Sequence, residues 1–316
     1  MTRIPSVLEF RGETVESRHP FTAAWCHVGG EVELWGDDWT TTWRSAAKPF
    51  QLAVSVEAIG EQFEARELAI GAASHSGEPQ HLSVVDGLLS RFHLSVEHLQ
   101  CGTHPPIHQP SGFAVMASGG SFDHRHNNCS GKHSFMAAAA HKRGWPVDYR
   151  AADHPYQKRL MDKVTAWAGA APSTSIDGCG VPTFCLPISA MARAWASLAE
   201  AMSANPQSVL GQIGWAMRQH PELTSGTNRF DAHLAGCARA PLAGKIGARG
   251  VFCVALPSLS AGLAVKMHSG SMEALAAAVP AALERWAPGA IEPPAAWPPL
   301  QVRNVIGDVV GHWVLA

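Results

Sequence analysis

The sequence carries no surplus of charge of either sign. Lysine and arginine number 24 and aspartate and glutamate 26, so the formal net charge is −2 at pH 7. Proteins that bind nucleic acids or anionic membranes usually present a basic surplus to them. We therefore expect neither nucleic acid nor membrane as a partner, and we expect a small-molecule substrate.

Long apolar runs are also missing. No stretch is long enough to cross a bilayer, and residues 1–7 lack the apolar segment of a secretory signal. We therefore expect a cytoplasmic protein. The seven cysteines are an odd number and are scattered, which is not the pattern of a disulfide framework. We expect free thiols or metal ligands at Cys26, Cys101, Cys129, Cys179, Cys185, Cys237 and Cys253.

The apolar periodicity predicts a mixed α/β chain without internal repeats. Residues 22–35 are typical of a β-hairpin turning at Gly29-Gly30, and two buried strands are predicted at 250–256 and 262–267. Segments 73–79, 173–182 and 288–299 are rich in turn residues or proline and are predicted to be irregular. Helices are predicted over 45–59, from about residue 84 to 92, over 134–141 with a stop at Gly144, and over 155–168, 187–202 and 272–286.

Ser45 and Lys48 stand three residues apart at the start of the first predicted helix. On a helix both side chains share one face, so the pair has the layout of a serine nucleophile beside an amine base. A lysine can take the serine proton when burial or a second cation lowers its pKa. The alternative is a serine at a helix start followed by a solvated lysine. Spacing alone leaves both interpretations open.

This pair is part of a series of motifs in a fixed order. They are Arg11–His19, Arg44–Gln51, Ser74–Glu78, Asn128–His133, Asp177–Pro182 and Lys245–Ala248. Together these segments resemble the rhizobial-type L-asparaginase II family, and the similarity runs through nearly the whole chain.

The resemblance implies an α/β (α+β) fold similar to serine β-lactamases and glutaminases, in which helices flank an antiparallel sheet and a further part is helical. It implies one catalytic unit over residues 1–316, with the α/β part formed from both chain ends and a mainly helical middle. The implied activity is hydrolysis of L-asparagine to L-aspartate and ammonia by a homodimer. Carried over by position, the catalytic residues form two serine–lysine pairs, Ser45 with Lys48 and Ser74 with Lys245.

The resemblance also implies a zinc ion, Zn2+, bound by Cys129, Lys132 and Cys179. From the residues alone His133 would be the expected third ligand, because imidazole is the common partner of thiolates at zinc. A lysine binds metal only as the free amine, so Lys132 would need a strongly depressed pKa. Zinc could act as a Lewis acid or hold two loops in register, and the sequence leaves both roles open.

A free α-amino acid needs a cation and an anion at a fixed separation in its binding site. Arg44 is the candidate for the substrate carboxylate and Asp177 for its ammonium group. Their ordinary alternatives are a surface salt bridge and a turn residue. His75 and His133 lie within two of the motifs, and we group them with these substrate-binding residues as side chains that orient the dyads or the metal ligands.

The chain departs from the family pattern at two places. Arg249 stands where a glutamate is expected, close in sequence to Lys245, and Lys266–Ala274 replaces an expected Asp-Gly and Arg-Ala pattern. A cation close to Lys245 would lower the pKa of that lysine. Three functions therefore remain open: a zinc-containing asparaginase, a serine amidohydrolase for glutamine or a β-lactam-like amide, and a non-catalytic zinc- or amino-acid-binding relative.

Overall fold

Strands from both ends of the chain form an antiparallel sheet in the computed structural model, which describes residues 4–293 and 297–316. The sheet has the strand order β10-β11-β1-β2-β9-β8-β7, and β3 pairs with β2. A smaller sheet has the order β4-β6-β5. The strands are β1 (Ser6–Arg11), β2 (Thr14–His27), β3 (Val32–Trp35), β4 (Thr40–Thr42), β5 (Ser173–Ile176), β6 (Pro182–Pro187), β7 (Ala243–Gly247), β8 (Val251–Leu256), β9 (Ala261–Met267), β10 (Gln301–Arg303) and β11 (Val309–Leu315).

Helices occupy most of the chain between β4 and β7. They are α1 (Lys48–Ile59), α2 (Ala65–Gly71), α3 (Pro79–Arg91), α4 (Gln109–Ala117), α5 (Ser130–Arg143), α6 (Pro155–Ala168), α7 (Ile188–Ala204), α8 (Val209–Gln219), α9 (Pro221–Thr224) and α10 (Phe230–Gly236), and α11 (Leu275–Trp286) follows the sheet strands.

The central sheet is buried on both faces because its side chains alternate between two cores. Phe252 and Val254 of β8 belong to the core that includes α11, whereas Cys253 and Ala255 belong to the core that includes α1, α5 and α7. Helix α7 lies directly on β9, since a Cβ atom at Gly262 would come within 2.2 Å of the Ala196 backbone nitrogen. This layering places the start of α1 beside the edge strand β7.

The predicted α+β architecture is confirmed: helices flank an antiparallel sheet, and a further part of the chain is helical. The predicted hairpin of residues 22–35 is the antiparallel pair β2 and β3. The predicted strands at 250–256 and 262–267 are β8 and β9, and the helix predicted at 155–168 is α6.

Three predictions of local structure were wrong in part. Segment 173–182 is not wholly irregular, since it contains β5, which pairs with β6. Helix α5 begins at Ser130 rather than at residue 134, so that Lys132 and His133 are helical. The predicted extended segment 288–299 includes residues 294–296, which lie outside the described residues, and residues 298–300 form a 3-10 turn.

Within the described residues no helix is long and apolar enough to cross a membrane. All seven cysteines are free thiols, as expected.

Candidate active site

Ser45 lies in a 3-10 turn, Arg44–Ala47, that leads into α1. Its side chain is partly exposed, and neither its hydroxyl nor its backbone N–H forms a hydrogen bond with another described residue. Arg44 has a φ of 53°. This left-handed conformation costs a non-glycine residue roughly 1–3 kcal/mol and is typical of functional sites. The turn thus presents a free hydroxyl and a free N–H at one residue.

The edge strand β7 passes close to this turn because it carries glycine at position 247. A Cβ atom there would lie 2.9 Å from the Trp43 carbonyl oxygen and 3.3 Å from the Ala46 backbone nitrogen. Both distances are shorter than ordinary van der Waals contact. Gly247 therefore permits a backbone approach that places the strand carrying Lys245 beside Ser45.

Lys48 joins three parts of the site. Its Nζ donates hydrogen bonds to Ser74 Oγ at 3.0 Å, to the Asn128 carbonyl oxygen at 3.2 Å and to the Ala73 carbonyl oxygen. Lys48 therefore contacts the second serine of the predicted pairs, and no hydrogen bond between described residues joins it to Ser45.

Lys245 is fully buried on β7. Burial, together with Lys48 and Arg229, lowers its pKa to about 8 against the opposing effect of Asp231. Its Nζ donates to the Ile246 carbonyl oxygen at 3.1 Å and lies 3.7 Å from Asp231 Oδ2. A larger fraction of Lys245 than of an ordinary lysine is thus free amine near neutral pH.

Arg249 does not act on Lys245 as its position in the sequence suggested. It occupies the turn between β7 and β8 with a φ of 64°, and its carbonyl oxygen accepts a hydrogen bond from Lys266 Nζ. Burial and then the charges of Arg249 and Arg44 lower the pKa of Lys266 to about 8. The cation of Arg249 therefore acts on Lys266, and burial accounts for most of the shift at Lys245.

Arg44 and Asp177 form an ion pair with each other. Arg44 Nε donates to Asp177 Oδ1 at 2.7 Å, and the two side chains are 25% and 10% exposed. The same carboxylate oxygen accepts the Gly178 N–H at 2.8 Å. Within the described residues the terminal nitrogens of Arg44 and Oδ2 of Asp177 form no hydrogen bonds, so each partner keeps a free end beside the other.

Cys129, Lys132 and Cys179 lie close to one another. Lys132 Nζ donates to Cys179 Sγ at 3.2 Å, and Cys129 Sγ donates to Asn128 Oδ1 at 3.4 Å. The neighbouring Cys179 side chain lowers the pKa of Cys129 well below its usual value against the effect of burial. Burial would lower the pKa of Lys132, but Cys179, Cys129 and Asp177 outweigh it and raise the pKa. Without a metal ion, Lys132 is thus held as a cation between the two cysteines, and the depressed pKa that zinc binding requires stays a prediction.

Two cysteine sulfur atoms and one lysine nitrogen form a donor set that suits zinc, and one of the sulfur atoms is in direct contact with the nitrogen. The three residues therefore fit the ion, provided that it displaces the proton of Lys132. No group of three or more histidine, cysteine, aspartate or glutamate residues in the described part of the chain could hold a metal. His133 therefore forms no such group with the two cysteines in the described part of the chain, and the choice between Lys132 and His133 as the third ligand stays a prediction.

The two motif histidines are buried within the protein. His75 Nδ1 accepts the Gly77 N–H at 3.1 Å, and its Nε2 lies 2.7 Å from Ser130 Oγ, so no ring nitrogen is left for a substrate. His133 Nδ1 lies 3.0 Å from the Tyr149 hydroxyl, and its Nε2 has no partner among the described residues. Burial lowers the pKa of both rings well below the usual value. Both histidines are therefore neutral side chains that connect neighbouring segments of the chain through hydrogen bonds.

Sequence reasoning missed the segment Thr224–Asp231. The Thr224 carbonyl oxygen accepts the Ser74 N–H at 3.0 Å, and Thr227 donates to Glu78 from its N–H at 2.8 Å and from its hydroxyl at 2.7 Å. At its other end lies Asp231 beside Lys245. No sequence pattern marked this segment, because its contacts depend on the tertiary fold.

The chain matches a known family along almost its whole length. The family model described as L-asparaginase II matches residues 7–315. No match to a curated protein was found. A crystal structure of Mglu in its native form is 15% identical, with a TM-score of 0.45 over 84% of this chain and 63% of that one.

The glutamate form of Mglu is also 15% identical, with a TM-score of 0.40 over 78% of this chain and 55% of that one. The chain therefore spans less than two thirds of the length of these solved structures. The family model, in contrast, covers nearly every residue. We conclude that the chain belongs to the L-asparaginase II family.

Proposed function

We propose that the protein is an amidohydrolase that converts L-asparagine to L-aspartate and ammonia through an acyl-enzyme on Ser45. The observation that carries this proposal is the hydrogen bond of 3.0 Å between Lys48 Nζ and Ser74 Oγ. It joins two separate serine- and lysine-bearing segments in one buried centre. A second lysine, Lys245, lies close enough for its pKa to respond to Lys48.

The proton of Ser45 needs an acceptor, and the Lys48 amine already has three hydrogen-bond partners. We assign the acceptor role to Lys245, because its lowered pKa of about 8 leaves a fraction of it as free amine near neutral pH. Lys48 takes the Ser45 proton while it passes one of its own to Ser74, and Ser74 passes its hydroxyl proton to Lys245. The relay requires the substrate complex to close two contacts, Ser45 to Lys48 and Ser74 to Lys245.

Deprotonated Ser45 then attacks the side-chain amide carbon and forms a tetrahedral intermediate. The free N–H of Ser45 is the first donor for the oxyanion. The C–N bond breaks as Lys245 returns its proton through the relay to the leaving nitrogen, which departs as ammonia. Water hydrolyses the remaining ester, and the serine hydroxyl is restored.

The ion pair of Arg44 and Asp177 matches the α-carbon end of the substrate. The free terminal nitrogens of Arg44 can donate to a carboxylate, and the free Oδ2 of Asp177 can accept from an ammonium group. Because a hydrogen bond joins the two side chains, they present both charges at a fixed separation. This arrangement favours a free amino acid over a β-lactam.

Cys129, Lys132 and Cys179 would hold a zinc ion, which would supply positive charge to the site and tie α5 to the turn between β5 and β6. The chain's own residues carry every proton in the scheme above.

Ammonia release from L-asparagine, L-glutamine and a β-lactam, each with and without a chelator, tests the proposal. Release from L-asparagine in preference to the other two is expected. Ser45→Ala should abolish it, whereas Ser90→Ala, at an exposed position of α3, should not change it. A protein that releases no ammonia from any of the three amides would refute the proposal and favour the binding-protein alternative.

A further inference from the structure

Asp231 is a buried carboxylate that contacts both the backbone of β7 and the side chain of Lys245 on that strand. It lies on α10, its Oδ1 accepts the Ile246 N–H at 3.1 Å, and its Oδ2 lies 3.7 Å from Lys245 Nζ. Strand β7 is at the edge of the sheet, so alternate N–H groups have no strand partner. Asp231 satisfies one of these groups next to the lysine and thereby fixes the strand at that residue.

The second oxygen of this carboxylate has unused capacity. Oδ2 of Asp231 is buried and forms no hydrogen bond within the described residues. An unpaired buried oxygen costs free energy unless it serves a charge. Lys245 Nζ is the neighbouring cation, and both side chains are almost completely buried, with 0% and 3% exposure. The geometry is that of a carboxylate which receives an ammonium ion when the lysine gains a proton.

The segment that precedes Asp231 also contacts Ser74, the serine of the predicted Ser74–Lys245 pair. Thr224 bonds the backbone of Ser74, and Ser76 Oγ donates to the Ser225 carbonyl oxygen at 2.9 Å. Gly226 makes this approach possible, because a Cβ atom there would lie 2.2 Å from Ser76 Oγ. One continuous stretch, Thr224–Asp231, therefore links Ser74 to Lys245.

We propose that Asp231 is a positioning residue, which holds Lys245 at the dyad centre and stabilises the proton that this lysine takes up during acylation. This inference rests on the proposed function, in which Lys245 is the final proton acceptor. Without the carboxylate, Lys245 would be a weaker base in the same place.

The charges that face Lys245 come from three helices or the residues just before them. Asp231 on α10 and Cys129 before α5 raise the pKa of Lys245, whereas Lys48 on α1 and Arg229 before α10 lower it. Burial raises the pKa of Asp231, and Lys245 and Arg229 oppose that shift. Removing the carboxylate should therefore move the pKa of Lys245 below about 8.

The test compares the wild-type protein with Asp231→Asn, which keeps an oxygen for the Ile246 N–H and removes the charge. Protein labelled with 13C at the lysine ε-carbons is titrated by NMR, and Lys245→Met identifies the signal. We expect a lower midpoint in Asp231→Asn. In the pH profile of ammonia release, the acidic limb should move to lower pH. At the optimum, kcat should fall about tenfold with KM nearly unchanged, because the weaker base transfers protons less efficiently.

Glu78→Gln is the matched control, since it removes a buried carboxylate that clamps the same segment through Thr227 but is not among the groups that shift the pKa of Lys245. It should leave the midpoint of Lys245 unchanged. An unchanged midpoint in Asp231→Asn would overturn the inference. A wild-type protein without amide hydrolysis would refute the proposed function alone, because the NMR comparison would still decide whether Asp231 holds the proton of Lys245.

If Asp231→Asn fails to fold, the wild-type protein still provides a decisive measurement. The 13C carboxyl signal of Asp231 should respond to the deprotonation of Lys245 with the same midpoint as the lysine signal. A carboxyl signal that does not respond would overturn the inference.

Discussion

Gly247→Ala is the substitution that probes the approach of β7 to the nucleophile turn most directly. The new Cβ atom would lie 2.9 Å from the Trp43 carbonyl oxygen, 3.1 Å from Val251 Cβ and 3.3 Å from the Ala46 nitrogen. Two of these neighbours are backbone atoms, which cannot rotate away. The strand and the turn must therefore separate by a few tenths of an ångström.

The size of the effect follows from that displacement. Overpacking of this kind costs about 1–3 kcal/mol of unfolding free energy. For a chain of this size, Tm should fall by about 2–6 °C. A misplacement of about 1 Å can cost about 100-fold in rate, so a shift of a few tenths of an ångström should lower kcat about 3- to 10-fold.

The assay is ammonia release from L-asparagine together with thermal unfolding. Gly87→Ala is the matched control, since Gly87 lies in α3 and a Cβ atom added there would meet no other atom within 4 Å. Replacing an exposed helical glycine by alanine should stabilise the protein by about 0.5–1 kcal/mol and leave kcat unchanged. Wild-type kcat in Gly247→Ala would refute the argument that β7 and the Ser45 turn act as one unit.

Three further predictions concern other parts of the site. Asp177→Asn should raise KM for L-asparagine about 10- to 100-fold, because a charge-assisted hydrogen bond of about 1.5–3 kcal/mol is lost; an unchanged KM would exclude Asp177 from substrate binding. Burial would raise the pKa of Glu78, but the two hydrogen bonds from Thr227 lower it, so its stabilisation is present above the unfolded pKa and is lost as pH falls through the folded pKa. The difference in unfolding free energy between wild type and Glu78→Gln should therefore be largest above about pH 5 and shrink in acid, and a constant difference would contradict this. Cys129→Ser should lose most of the zinc measured by atomic absorption after dialysis, whereas Cys237→Ser, which packs against the core that includes α11, should keep it; equal zinc contents would exclude the proposed donor set.

The sequence motifs predicted which residues lie near one another better than how they pair. Ser45, Lys48 and Ser74 come from two separate motifs that the fold brings together, but the pattern assigned Lys48 to Ser45, whereas Lys48 donates a hydrogen bond to Ser74. Spacing along a helix indicates which side chains share a face. It does not indicate that a loop 26 residues away supplies a closer acceptor.

Local structure was missed where tertiary contacts override propensity. The start of helix α5 was predicted too late because Lys132 and His133 are polar and do not continue the apolar pattern. Both side chains are nevertheless buried within the helix, among the other residues of the site. Strand β5 consists of exposed serine, threonine and isoleucine and is ordered by pairing with β6. Asp231 left no signal at all, since a single aspartate acquires its role only when α10 packs against β7.

An acyl-enzyme on Ser45 can be detected by mass spectrometry of protein quenched in acid during turnover of L-asparagine. We expect an aspartyl ester on the peptide that contains Ser45, and no adduct or ammonia release in Ser45→Ala. Ammonia release at the wild-type rate by Ser45→Ala, or an acyl group found on Ser74 instead, would contradict the proposed mechanism.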